Sequence, residues 1–144
     1  MRVFKSKWFV RYARKERITD AQLLKTVENA EKGLIDADYG GGVIKQRIAR
    51  PGAGKSGGYR SIIYFRKGER AFFAFGFAKN EKDNIDESDE RDFKDLAKVF
   101  LSLSETELKK LIDSGKWTEV KYDEEGDEKD DEERDEKDGE QSDE

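Results

Sequence analysis

The last stretch of the chain sets the limit of what can fold. From Lys121 to Glu144 the only apolar side chain is Tyr122, and acidic residues outnumber basic ones 15 to 4. Such a segment has no apolar surface whose burial could offset the entropy lost on ordering, so it reads as a disordered acidic tail. The folding unit is therefore expected within residues 1–120, a length that suits one domain. No internal repeat divides it.

Setting the tail apart changes the meaning of the charge. The formal net charge of −5 conceals a basic half: residues 1–79 carry 18 Lys/Arg against 7 Asp/Glu, and residues 80–120 carry 7 against 12. A basic half on an acidic chain points to a polyanion or to an acidic protein partner. The chain has no Cys and no His. This excludes a disulfide framework and a thiolate zinc site, and it removes the commonest general base. Proton transfer must then fall to Lys, Tyr, Asp or Glu, with Arg stabilising charge. No metal and no cofactor are expected. The start Met1-Arg2-Val3-Phe4-Lys5 lacks the apolar core of a signal peptide, and no run reaches the length of a membrane span. The expectation is a soluble cytoplasmic protein with no membrane partner.

Apolar spacing gives the elements. Met1–Phe4 suits a short edge strand. Ser6 can cap a helix carrying Trp8, Phe9, Tyr12 and Ala13, and Thr19 opens a second with Leu23, Leu24, Val27 and Ala30 on one face, closed by Gly33. Gly40-Gly41-Gly42 then breaks regular structure. The period changes to strands over 43–49, 58–66 and 70–78, joined by a glycine-rich turn and by Lys67-Gly68-Glu69. The run Ala71-Phe72-Phe73-Ala74-Phe75 implies burial on both sheet faces. A helix follows over 86–102, and Ser104 with Glu107 forms the capping box of another that stops near Gly115. Trp117 and Val120 are the last packing residues. The fold class is α+β: N-terminal helices, an antiparallel strand meander, C-terminal helices and the acidic tail.

One motif misleads. Ala49-Arg50-Pro51-Gly52-Ala53-Gly54-Lys55-Ser56 satisfies a relaxed phosphate-loop pattern. A phosphate loop must lead into a helix whose N-terminus holds the phosphate, whereas here a strand is expected next. Nucleotide binding is not expected. The cations carry more. Lys45 and Arg47 are two apart and project from one face of a strand. Arg50 and Lys55 lie on the next loop, Arg60 on the next strand beside Tyr59, and Lys79 ends the third strand, with Lys82 just beyond. If these strands are neighbours, the cations converge into a surface suited to RNA; otherwise they are a solvated sheet face. Phe72, Phe73, Phe75, Phe77, Tyr64 and Phe65 suit the core, and Tyr59 is the candidate for stacking on a base. Residues 123–144, a polyanion tethered to a polycation, could shield the basic face.

Three stretches together resemble a known family: Val43 to Arg50, the loop Gly54-Lys55-Ser56-Gly57-Gly58-Tyr59-Arg60, and Phe77-Ala78-Lys79-Asn80-Glu81. They are similar to RelE/ParE-superfamily toxins of type II toxin–antitoxin systems, above all the HigB-like branch, with its K-x-K/R strand, G-K-x-G-G-x-R loop and basic strand end. The resemblance spans residues 1–115. It implies a compact α+β toxin held by a cognate antitoxin, of undetermined oligomeric state, and a metal-independent endoribonuclease that cuts mRNA, commonly on the ribosome. In that chemistry the ribose 2′-OH is the nucleophile. By position Lys45 is the implied base, for an ammonium crowded by other cations is disfavoured. Arg47, Arg60 and Lys79 complete the implied catalytic set, and Arg50, Lys55, Tyr59 and Lys82 the RNA contacts. The family pattern has an arginine at the position of Asn80 and a tyrosine near Asp86, with Lys82 as a candidate replacement. Two alternatives share the fold: a ParE-like gyrase inhibitor, and a catalytically inert RNA- or protein-binding module.

Overall fold

The computed structural model describes residues 1–48, 58–78 and 85–122. Through them the chain runs β1 (Arg2–Ser6), α1 (Lys7–Glu16), α2 (Asp20–Glu31), β2 (Ala37–Gly40), β3 (Val43–Ile48), β4 (Tyr59–Arg66), β5 (Arg70–Ala78), α3 (Glu87–Leu101), α4 (Glu105–Asp113) and β6 (Trp117–Val120). The strands form one six-stranded sheet in the order β2-β3-β4-β5-β1-β6. The expected α+β class holds. Arg50, Lys55 and the phosphate-loop-like stretch 49–56, Lys79, Asn80 and Lys82, and the acidic tail from Asp123 lie outside the described residues. The element that follows the phosphate-loop-like stretch is the strand β4.

Local chemistry sets the helix ends. The Ser6 hydroxyl accepts from Phe9 N at 2.9 Å and donates to Ala74 O at 3.1 Å, so the cap of α1 also ties that helix to β5. Thr19 with Gln22, and Ser104 with Glu107, close full capping boxes on α2 and α4. Helices α1 and α2 cover one face of the sheet, where Phe9, Leu23 and Val27 meet Val3, Ile44, Ile63 and Phe73. Helices α3 and α4 cover the other, where Ala97, Leu101 and Leu108 meet Phe4, Ile62, Tyr64, Phe72 and Trp117.

A bulge divides the aromatic run of β5 between these cores. Ile63 pairs with Phe73 but Ile62 pairs with Phe75, leaving Ala74 as the extra residue. Phe73 therefore faces α1, and Phe75 joins Phe72 and Phe77 on the side of α3. Gly76 then passes directly under α1: a Cβ there would stand 2.8 Å from Tyr12 Cε2 and 3.1 Å from Phe9 Cε2.

Three expectations are corrected. Met1–Phe4 is not an edge. Strand β1 lies inside the sheet, parallel to β5 and antiparallel to β6, so the expected antiparallel meander β3-β4-β5 is part of a larger mixed sheet. Val3, Phe4 and Lys5 are all buried there; Phe4 stacks on Phe72 at 4.7 Å, and Lys5 Nζ meets Asp20 at 2.8 Å. The glycine triplet does more than interrupt structure. It turns a hairpin between β2 and β3, with φ of 88°, 63° and 86° at Gly40, Gly41 and Gly42, a region that disfavours residues with a Cβ. Trp117 and Val120, expected only as packing residues, belong to the edge strand β6.

Candidate active site

The β3–β4 register builds the site. Arg47 lies directly opposite Arg60, and Lys45 opposite Ile62. Alternation turns Ile44, Gln46 and Ile48 toward α2, and Lys45 and Arg47 to the opposite face, which Arg60, Ile62 and Tyr64 share. Gly58 makes the crossing possible. A Cβ at that position would stand 2.8 Å from Ile48 O and 3.3 Å from Arg47 Nε. This gives the glycine of the G-G-x-R motif a steric reason.

Like charges facing each other across a ladder repel, so the cluster calls for an anion. Asp36 supplies one: its Oδ2 is 3.1 Å from Arg60 Nε and 3.7 Å from Lys45 Nζ. Gln46 fixes that carboxylate in place. Its side chain is buried, accepts from Asp36 N at 2.9 Å, and donates to Leu34 O at 3.0 Å and Thr26 O at 3.3 Å. One buried amide thus ties α2, the loop before β2 and β3 together. Arg60 is only 8% exposed, and its Nη1 is buried with no hydrogen-bond partner among the described residues. A buried guanidinium nitrogen without an acceptor carries a desolvation cost that an incoming oxyanion would relieve.

Tyr39, on β2, packs into the same core as Val43 and Tyr64. Burial raises its pKa above the ordinary 10, and the carboxylates of Glu90 and Asp36 raise it further. The phenol therefore keeps its proton at neutral pH and can donate it in a hydrogen bond.

Of the residues expected in the site, the structure brings Lys45, Arg47 and Arg60 together on one sheet face. Tyr59 departs from its expected role. It points to the other face, is 3% exposed, donates its hydroxyl to Glu16 at 2.7 Å, and meets Tyr12 edge-on at 6.0 Å. No face of its ring is open to a base. A half-exposed aromatic stands nearby on α1: Trp8, stacked on Tyr12 at 5.1 Å and close to Phe75 at 4.6 Å. Asp36 and Tyr39 were not anticipated. The signal for Asp36 in the sequence is that acidic residues are scarce in the basic half, 7 in residues 1–79; Tyr39 has none.

Among the described residues, no helix is long and apolar enough to cross a membrane. No curated protein matched the chain. Residues 1–120 match a family model described as the RelE toxin of the RelE/RelB toxin–antitoxin system. That span takes in every element of the sheet and its helices, together with the cationic cluster around Asp36. The chain belongs to the RelE toxin family.

Proposed function

We propose that this toxin is a metal-independent endoribonuclease of the HigB-like branch, which cuts mRNA in the cytoplasm on the ribosome. The observation that carries the reading is Arg60: a buried guanidinium, opposite Arg47 and beside Lys45, with one nitrogen lacking a hydrogen-bond partner among the described residues. This is an anion site formed before its anion arrives. Family membership implies a cognate antitoxin as the protein partner.

In the proposed reaction Lys45 takes the proton of the ribose 2′-OH, whose oxygen attacks the adjacent phosphorus. The 2′-O–P bond forms and the P–O5′ bond breaks, leaving a 2′,3′-cyclic phosphate and a 5′-hydroxyl. Arg60 and Arg47 hold the negative charge that builds on the phosphorane. Tyr39, which keeps its proton, is a donor for the leaving 5′-oxygen, and Lys79 is assigned to the same set. Arg50, Lys55 and Lys82 are assigned to the RNA backbone. Asp36 occupies the cations while RNA is absent, and phosphate competes with it. Tyr59 has no place in this scheme. A set with no histidine gains from an external template that aligns the mRNA, which favours cleavage on the ribosome.

The test is induced expression of the wild type and Arg60→Ala, each with and without residues 121–144, with mapping of mRNA 5′ ends. Codon-phased cuts should appear in the wild type and fall by about 10²–10³-fold in Arg60→Ala, the loss typical of one oxyanion donor. Growth arrest with DNA damage and no cuts would replace this reading with gyrase inhibition. Unaffected growth in every form would leave an inert binding module.

A further inference from the structure

Helix α1 carries its cations in a row. Lys7, Arg11 and Lys15 are spaced four apart, Arg14 stands beside them, and all are exposed. Like charges at that spacing repel, and a lysine in the first turn opposes the helix dipole, so the row costs α1 stability. Among the described residues Lys7, Arg11 and Lys15 form no ion pair. On α2, α3 and α4, by contrast, Lys25 pairs with Glu28, Lys94 with Glu90 and Lys109 with Asp113. The single acid of α1, Glu16, takes the hydroxyl of Tyr59 instead. The cationic cluster on the sheet already has Asp36 as its counter-charge. The row on α1 has none.

The matching polyanion belongs to the same chain. Residues 123–144 contain 15 Asp/Glu and 3 Lys/Arg. They follow Tyr122, which lies in a groove with Leu24, Glu28 and Glu31 of α2, on the sheet face that α1 also covers. The field of Glu28 and Glu31 at Tyr122 is negative, which turns an acidic segment away from α2. Lys7 N donates to Lys116 O at 3.0 Å, so α1 starts beside the start of β6. At about 3.3 Å per strand residue that point is about 20 Å from Tyr122, a gap that about six extended residues span. We propose that residues 123–144 dock along α1, with their carboxylates on Lys7, Arg11 and Lys15. Tethering makes the encounter intramolecular, so many weak surface pairs suffice. The docked segment neutralises charge that otherwise gathers nucleic acid without regard to sequence.

Paramagnetic relaxation in the full chain tests the docking. Because the chain has no Cys, Ser142→Cys carries a single nitroxide label on the acidic segment. At low salt the amide signals of residues 7–17 should lose more intensity than those of β3 and β4, and should recover as salt screens the pairing. The loss should also disappear in Arg11→Glu/Lys15→Glu, which alters two exposed side chains. A loss spread evenly over the surface, or centred on Lys45 and Arg47, would overturn the docking. So would a loss that survives both salt and the substitutions. An oligouridylate is then added to the labelled chain. Amide shifts at residues 7–17, with no effect of the label there, would make α1 an RNA surface and sink the tail assignment. No step depends on RNA cleavage, so failure of the ribonuclease reading leaves the docking result intact.

Discussion

Replacing Asp36 with Asn should move stability and RNA affinity in opposite directions. The carboxylate pairs with Arg60 at 3.1 Å and with Lys45 at 3.7 Å. The Arg60 side chain is 10% exposed and that of Asp36 34%. The pair therefore falls between an exposed ion pair, worth about 0–1 kcal/mol, and a buried one whose breaking costs about 3–5 kcal/mol. A loss of about 1–2 kcal/mol follows, or a fall of about 4–8 °C in Tm for a domain of this size. On the proposed ribonuclease reading, RNA phosphate displaces the same carboxylate, so that energy returns on binding. Affinity should rise by about 5–30-fold, the equilibrium factor for 1–2 kcal/mol. The variant gains one net positive charge at the site, so its salt dependence should steepen by about 0.7 in log Kd against log salt. The assay is fluorescence anisotropy with an RNA carrying a 2′-deoxy sugar at the cut position, repeated across salt concentrations and paired with thermal unfolding. Weaker binding alongside lower stability would refute the reasoning, because Asp36 would then be an RNA ligand and not a competitor.

Three further outcomes follow from the packing. Tyr59→Phe should cost about 0.5–1.5 kcal/mol through loss of the hydroxyl bond to Glu16 and leave RNA affinity unchanged, in urea unfolding and anisotropy respectively; reduced affinity at unchanged stability would return Tyr59 to the RNA surface. Gly76→Ala should cost about 1–3 kcal/mol by overpacking, since its Cβ would meet Tyr12 at 2.8 Å, and a Tm equal to the wild type would contradict the close passage of β5 under α1. The Glu107 carboxyl lies below its ordinary 4.5 because the Ser104 backbone and hydroxyl hydrogen-bond to it. Its folded value is depressed, so its contribution to α4 is complete above 4.5 and is lost as pH falls through the lowered value. Glu107→Gln should flatten that acid limb in the NMR shifts of α4, and an unchanged limb would remove the capping carboxylate as its cause.

Some of this protein was written in local sequence. Helix starts were legible because Ser6, Thr19 and Ser104 satisfy N–H groups only three residues away. The strands β3, β4 and β5 were legible because β-type apolar runs stand between glycine-rich turns, the short Lys67-Gly68-Glu69 turn joining β4 to β5. Strand alternation also put Lys45 and Arg47 on one face, and the two-residue spacing alone required it. Composition alone gives the expectation of an acidic tail, since residues 121–144 hold one apolar side chain, Tyr122.

Other features depend on partners far apart along the chain. Lys5 gives the first strand the look of an edge, yet its charge is buried against Asp20, and the parallel pairing of Phe4 with Phe72 carries β1 into the sheet. The role of Tyr59 turned on which sheet face receives α1, a matter of packing that its own neighbours do not encode. Asp36 became part of the site only when Gln46 bound the loop before β2 and the sheet brought Arg60 beside it. Local propensity and periodicity thus determined the elements and the supply of cations. Only tertiary structure decided which carboxylate meets them, because electrostatic and packing energies act on distance in space and not on separation along the chain.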